Sequence, residues 1–330
     1  MPGTSPGMTT SRQLAASNES SLMDILNPDH PPLIVTPADR ALPVWKFWGT
    51  ALWGLLAFAA MFVGQLGTIV YLVVHRGDAI DMASIQLVGH DPQALALSVS
   101  MGLPATLVAV WLAIRIKGAS FVDYLALRWP SWRQFLLGAV GLVLIVMVWE
   151  TMSRAMGREA TPGFMTDLLK SGRDKGAATL LLLAFSVAAP MSEEVLARGF
   201  LYRGWSESFL RVPGAIILSS LVWTAVHLQY DLYFLAEVFS IGLWFGYMRY
   251  RGNSLWLTIM LHALNNLTAV VLTMWQGSQA GALALRKVNV RDEGVWSAVG
   301  YTHGHCCRCG WAFLKPLAPL HCRPNVPPLC

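Results

Sequence analysis

The sequence predicts an all-α, polytopic transmembrane bundle of about seven spans, and three observations carry that prediction. Charged residues make up only 13% of the 330 residues and hydrophobic ones 55%, whereas a soluble globular chain carries about 25% charged residues. Stretches of about 17–25 mostly apolar residues, long enough to cross a bilayer as a helix, recur along the chain. The alternation of apolar and polar residues that marks a barrel strand is absent. Backbone groups in hydrocarbon must then be satisfied within helices.

The first stretch runs from Phe47 to Val74 and the second from Pro92 to Ile114. The third begins at Gln134, reaches Trp149 and has Glu150 at its end. The fourth begins at Gly176 and runs into Ser192-Glu193-Glu194. The fifth covers Val212 to about Gln229. The sixth covers Leu232 to Met248 and contains Glu237. The seventh begins near Ser254 and closes by about Gln276. Between the second and third, FVDYLALRWPSWRQ mixes aromatic and charged residues, as an interfacial helix followed by a turn would. TPGFMTDLLKSGRDKG, from Thr161, reads as a loop with a short amphipathic piece.

Three segments follow. Residues 1–42 are polar and rich in Ser, Thr and Pro, with no early apolar region of a signal peptide; they are expected to be disordered. Residues 43–276 form the membrane domain. Residues 277–330 are a tail that holds all five cysteines, Cys306, Cys307, Cys309, Cys322 and Cys330. With His303 and His305, the HGHCCRCGW stretch has ligands for a soft metal, but not the spacing of two CxxC pairs. An unstructured tail is the expected state. The net charge of +5 suits basic loops facing anionic lipid, and nucleic-acid binding is not expected. Arg115, Lys117, Arg128, Arg133, Arg203, Arg211, Arg249 and Arg251 place their loops, and with them the N-terminus, in the cytoplasm. Arg154, Arg158, Lys170, Arg173 and Lys175 in the third loop oppose that orientation.

Ionisable groups inside spans are costly, about 2.5–3.5 kcal/mol for Asp, Lys or Arg at a helix centre on insertion scales, and such groups face a partner or a cavity. The last four spans carry several. Glu194 and Arg198 stand four apart and can pair on one helix face. Glu193 lies about 100° around the helix and is left to point elsewhere. Trp223 and His227 are also four apart, so ring can pack against ring. His262 and Asn266 share a face of the last span, with Asn265 beside them. Read singly, each set has a plain structural explanation: a solvated helix end, a hydrogen-bonded histidine, or polar contacts between helices. If the last four helices bundle, a carboxylate, two imidazoles and a carboxamide meet in one cavity. Such groups activate water and stabilise an oxyanion. Glu237 receives no catalytic role.

In order along the chain, EEVLAR, Trp223-Thr-Ala-Val-His227 and His262-Ala-Leu-Asn-Asn266 resemble the EExxxR, FxxxH and HxxxN/D motifs of the CAAX prenyl protease type II family, also called CPBP or ABI. Trp stands where the family has Phe, and the resemblance covers about residues 120–276. It implies an intramembrane endopeptidase of membrane-associated proteins or peptides, prenylated CAAX-type or bacteriocin-related, in a multi-pass bacterial membrane protein. Carried over residue by residue, it implies that Glu193 and His227 activate water and that His262 and Asn266 stabilise the oxyanion. Glu194, Arg198 and Trp223 would support them. Members are often called metalloproteases, and a zinc site built from Glu193, Glu194, His227 and His262 is the alternative, since zinc accepts N and O ligands. HExxH is absent, and a metal-free glutamate mechanism is favoured. Two other classes use similar residues. A transporter or proton channel would show broken-helix or inverted repeats, which the sequence lacks; a non-catalytic membrane scaffold would keep the geometry without turnover.

Overall fold

A computed structural model describes residues 42–159 and 161–274. The stretches expected to be disordered, up to residue 41 and from 277 onward, lie outside the described residues. So does the His303–Cys309 segment.

Among the described residues the chain is helical, with no strand. In chain order the helices are α1 (Phe47–His75), α2 (Met82–Gly89), α3 (Pro92–Lys117), α4 (Phe121–Leu125), α5 (Trp132–Ala155) and α6 (Gly163–Asp174). They continue as α7 (Ala178–Ser206), α8 (Arg211–Ala225), α9 (Leu232–Gly252) and α10 (Leu255–Met274). All seven expected spans are present as helices. Five of them, α1, α3, α5, α7 and α10, are long and apolar enough to cross a membrane. The other two fall short for different reasons. α8 has only 15 residues. α9 has 21 but includes Glu237, Arg249 and Arg251.

Local sequence sets the helix ends. Asp91 accepts from the backbone amides of Gln93 and Ala94 and Pro92 fills the first position of α3, where a missing N–H costs nothing. Ser131 and Gln134 form a reciprocal capping box that starts α5. α5 runs past Glu150, whose carboxylate takes Arg154 at 2.6 Å one turn later. The FVDYL segment is a one-turn helix capped by Ser120. It is docked on the bundle, with Tyr124 and Leu125 fully buried against α7 and α10. The stretch after Thr161 forms the 12-residue α6, which buries Leu168, Leu169 and Gly172.

Helices approach one another at small residues, as membrane helices do. A Cβ on Gly64 of α1 would stand 2.9 Å from the Met101 carbonyl oxygen of α3, and one on Gly102 would stand 2.9 Å from Gln65. Gly138 of α5 makes room for Leu261 and Met248, and Gly141 for the Trp244 indole of α9, whose Nε1 donates to the Gly138 carbonyl at 2.9 Å.

α7 is not a uniform α-helix. Two π stretches, Ala184–Ala188 and Val195–Leu201, bracket the α-helical turn Ala189–Glu194 that carries both glutamates. Pro190 accounts for the first. It has no N–H to offer the Ser186 carbonyl, and its ring crowds that turn. Wide turns leave backbone carbonyls for other partners, and neighbouring helices supply them. Asn266 of α10 donates its amide to the Phe185 carbonyl at 2.9 Å. Arg249 of α9 donates Nε to the Arg198 carbonyl at 3.1 Å. Arg249 is thus not a loop charge. It is 1% exposed and also bonds Asn253 Oδ1 and the Leu125 carbonyl, so it leaves the count that sets membrane orientation.

Asp91 joins three elements at one end of the bundle. Beyond capping α3, it takes Lys175 Nζ at 3.0 Å and stands 3.9 Å from Arg76. Partial burial alone would raise its carboxyl pKa. The hydrogen bond and charge of Lys175, with the amides of Ala94 and Gln93, outweigh burial and hold it below the usual carboxylate range. Asp91→Ala is expected to cost about 0.5–2 kcal/mol, the worth of a cap. The folded-state pKa is depressed, so the carboxylate's contribution is present above the ordinary value of about 3.9 and fades as pH falls through the folded value. Unfolding of both proteins in one detergent at pH 7 and at about pH 3 should show a gap at the first pH that narrows at the second.

Candidate active site

Glu193 and Glu194 are neighbours with opposite environments. Glu194 is fully buried and its Oε1 accepts two charge-assisted bonds, from Arg198 Nη1 at 2.8 Å and His262 Nδ1 at 3.0 Å. The guanidinium is also fully buried. Its Nη2 donates to the Gly242 carbonyl of α9 at 3.0 Å, and its face lies 4.5 Å from the Trp223 ring centre. Glu193 points to another side of the helix, with its side chain 18% exposed. Its Oε2 accepts the Trp223 indole N–H at 2.6 Å and lies 3.9 Å from His262 Nε2.

Hydrogen bonds assign the histidine tautomers. His262 Nδ1 faces a carboxylate oxygen already bound to arginine, so that nitrogen carries the proton. The ring is 2% exposed and sits edge-on to Trp223 at 5.2 Å and tilted to Phe245 at 5.5 Å. His227 Nδ1 lies 3.1 Å from the Trp223 carbonyl. A carbonyl only accepts, so Nδ1 is the donor there and Nε2 of the neutral ring keeps its lone pair. His227 packs edge-on to Trp223 at 5.2 Å and is half-buried.

Helix length places His227. The 15 residues of α8 rise about 22 Å at 1.5 Å each, short of a hydrocarbon core of roughly 30 Å. The chain leaves the helix at Val226, and the turn that follows carries His227 and Tyr230, whose rings lie 5.8 Å apart. Irregular backbone at membrane depth is tolerated where protein buries it or where it lines a water-filled cavity.

The structure thus brings Glu193, Glu194, Arg198, Trp223 and His262 into direct contact. It does not join His227 to Glu193: no hydrogen bond or ion pair links them, and His227 is tied to the group through Trp223. Asn266 uses one amide hydrogen on the Phe185 carbonyl and accepts from Asn265 at 3.3 Å; its second amide hydrogen remains free for another acceptor. Glu237 takes no part in the cluster's hydrogen bonds or ion pairs. Among the described residues, no three His, Cys, Asp or Glu groups are spaced to hold a metal ion. In particular, Glu194 Oε1 is occupied by Arg198 and His262, and His227 stands apart. Glu193, Glu194, His227 and His262 do not converge as a zinc ligand set in this arrangement.

Sequence reading missed Gly242, Phe245 and Tyr230, and took Arg249 for a loop charge. Gly242 has a visible cause. A Cβ there would come within 3.1 Å of both Ser220 and Trp223 and 3.3 Å of Arg198 Nη2, so any side chain would push on three neighbours at once where α9 approaches α8 and offers its carbonyl to the guanidinium. No spacing rule singles out that glycine among the chain's 28.

Residues 175–268 match the Rce1-like family, type II CAAX prenyl endopeptidase. The matched segment is similar to that family over 94 of the 330 residues. It begins just ahead of α7 and ends within α10, so it holds every member of the cluster. The chain is also similar to an uncharacterized 24.3 kDa protein of Escherichia coli, 35% identical over 133 residues. That alignment covers 39% of this chain and 58% of the relative, so the chain spans less than two thirds of the relative it matches. No solved structure matches.

Within the matched segment, Gly242→Val is expected to lower stability by about 1–3 kcal/mol through overpacking and to reduce any peptidase turnover by displacing Arg198 and Trp223. Gly67→Val is the control, because a Cβ at Gly67 meets nothing within 4 Å. Thermal unfolding and peptide cleavage of the two variants provide the comparison. Equal behaviour would contradict the close approach at Gly242.

Proposed function

We propose that this protein is an intramembrane endopeptidase that hydrolyses a peptide bond in a membrane-associated protein or peptide of the CAAX type, without a metal. The division of the two glutamates carries the reading: Glu194 is buried and paired with Arg198, while Glu193 is partly exposed with one carboxylate oxygen tethered and the other open.

In this mechanism Glu193 accepts a proton from water as the water oxygen bonds to the scissile carbonyl carbon. His227 Nε2, an acceptor in the neutral ring, helps hold that water. The carbonyl oxygen becomes an oxyanion, stabilised by His262 and the second amide hydrogen of Asn266. His262 has committed its Nδ1–H to Glu194, so it donates from Nε2 as the imidazolium, with both carboxylates offsetting the charge. The C–N bond then breaks, and Glu193 returns its proton to the leaving nitrogen. Arg198 touches no reacting atom in this scheme; it pairs with Glu194 on the oxygen that takes His262. The match to the Rce1-like family supports the reaction class, and the short α8 supports water access by leaving its final turn at membrane depth.

Glu193→Gln is expected to lower cleavage of a synthetic prenylated CAAX-type peptide by about 10²–10⁴-fold, the contribution of general acid–base catalysis, while leaving the melting temperature unchanged. A comparison of protein C-termini in cells carrying wild-type or Glu193→Gln protein would reveal the natural substrate. Wild-type turnover by the variant would remove Glu193 from the mechanism. Ion flux through liposomes that Glu193→Gln abolishes, with no cleavage, would favour a channel instead. The purified protein is expected to hold less than one zinc per chain and to keep its activity after chelator dialysis. Stoichiometric zinc, lost and restored together with activity, would overturn the metal-free scheme.

A further inference from the structure

We infer that Trp223 is a positioning residue for Glu193, acting through its indole N–H, and that this chain's departure from the FxxxH pattern has a mechanistic consequence. The inference rests on the proposed role of Glu193 and deepens it.

Indole Nε1 is a donor only. Here it lies 2.6 Å from Glu193 Oε2, a charge-assisted distance. The donor is itself held. Trp223 is 5% exposed, with Arg198 over its face at 4.5 Å, Phe245 at 6.0 Å, His262 edge-on at 5.2 Å and His227 edge-on at 5.2 Å. Its backbone carbonyl also takes His227 Nδ1. One residue thus contacts both histidines, the free glutamate and the buried arginine.

A phenylalanine at this position would keep the ring contacts and lose the donor. Glu193 would then have no hydrogen bond fixing its rotamer, because His262 Nε2 at 3.9 Å is beyond hydrogen-bond reach. A long, partly exposed carboxylate without a tether samples several rotamers, and only some aim the free oxygen at the scissile carbonyl. With the indole in place, Oε2 is pinned and Oε1 is left to act as the base. Rotamer restriction of this kind acts on the reaction step more than on substrate binding, since misplacement of a reacting group by about 1 Å can cost on the order of 10²-fold in rate.

Trp223→Phe is the direct test. It is expected to lower kcat by about ten- to a hundredfold and to leave KM within about twofold, a split that general loosening of the fold would not give. A second measurement needs no turnover. The Nε1–Hε1 NMR resonance of Trp223, assigned by its loss in Trp223→Phe, is expected downfield of the other indoles and should move upfield in Glu193→Gln. Wild-type kcat in Trp223→Phe, or an indole resonance that ignores Glu193→Gln, would overturn the inference. Full turnover in Glu193→Gln would instead overturn the mechanism on which it rests. Loss of activity in Glu193→Gln with normal kcat in Trp223→Phe would keep the mechanism and discard the tether.

Discussion

The site is organised by one ion pair, Glu194 with Arg198, buried at 0% exposure on both sides inside an apolar helix. Taking two charges out of water costs several kcal/mol for each ion, and the pair holds only if other groups complete its bonding. Its surroundings supply most of that completion, leaving Glu194 Oε2 and Arg198 Nε without a hydrogen-bond partner among the described residues. The Gly242 carbonyl takes one arm of the guanidinium, the Trp223 ring covers its face, and His262 takes the same Glu194 oxygen as the arginine. Each of these partners sits on a different helix, α9, α8 and α10. The cost of burying the pair therefore fixes how three helices must dock on α7, and docking them places His262 against Glu193.

The two π stretches show how the backbone accommodates this. A wider turn changes the direction in which successive side chains point, and it frees carbonyls that must find donors. Asn266 and Arg249 answer those carbonyls from outside the helix, one on each side of the glutamate turn. The glutamate segment is thus held at both ends by polar contacts that ordinary α-helix geometry would not need. π turns of this kind recur at functional sites, and here they flank the residues proposed to carry the chemistry.

Much of the helical architecture was legible in the sequence because hydrophobic run length reports directly on bilayer thickness. All seven expected spans are helices. The limits of that signal are seen in α8 and α9. Run length joined the turn after Ala225 to the preceding helix, because Val226 and Leu228 are apolar whether or not the backbone is helical. The four-residue spacing of Glu194 and Arg198 allowed the pair that forms, since i and i+4 share a helix face. Spacing within one helix says nothing about partners on another, so the Trp223–Glu193 bond, the Gly242 carbonyl and the commitment of Asn266 to Phe185 were not visible. Arg249 was misplaced because a basic residue near a helix end looks like a loop charge until the packing around it is known.

The central claim is that Glu194 and Arg198 act as one structural unit, leaving Glu193 free for chemistry. A double-mutant cycle of Glu194→Gln and Arg198→Met, read by unfolding in a single detergent, measures that coupling most directly. Each single change breaks the buried Glu194–Arg198 pair and leaves one of its two charges, at a cost of about 3–5 kcal/mol, whereas the double change removes both charges of the pair. The account predicts that the double variant is more stable than the sum of the single losses allows, by at least about 2 kcal/mol, a coupling expected only of residues in one network. Additive losses, within about 0.5 kcal/mol, would show that the two residues are independent and would contradict the account.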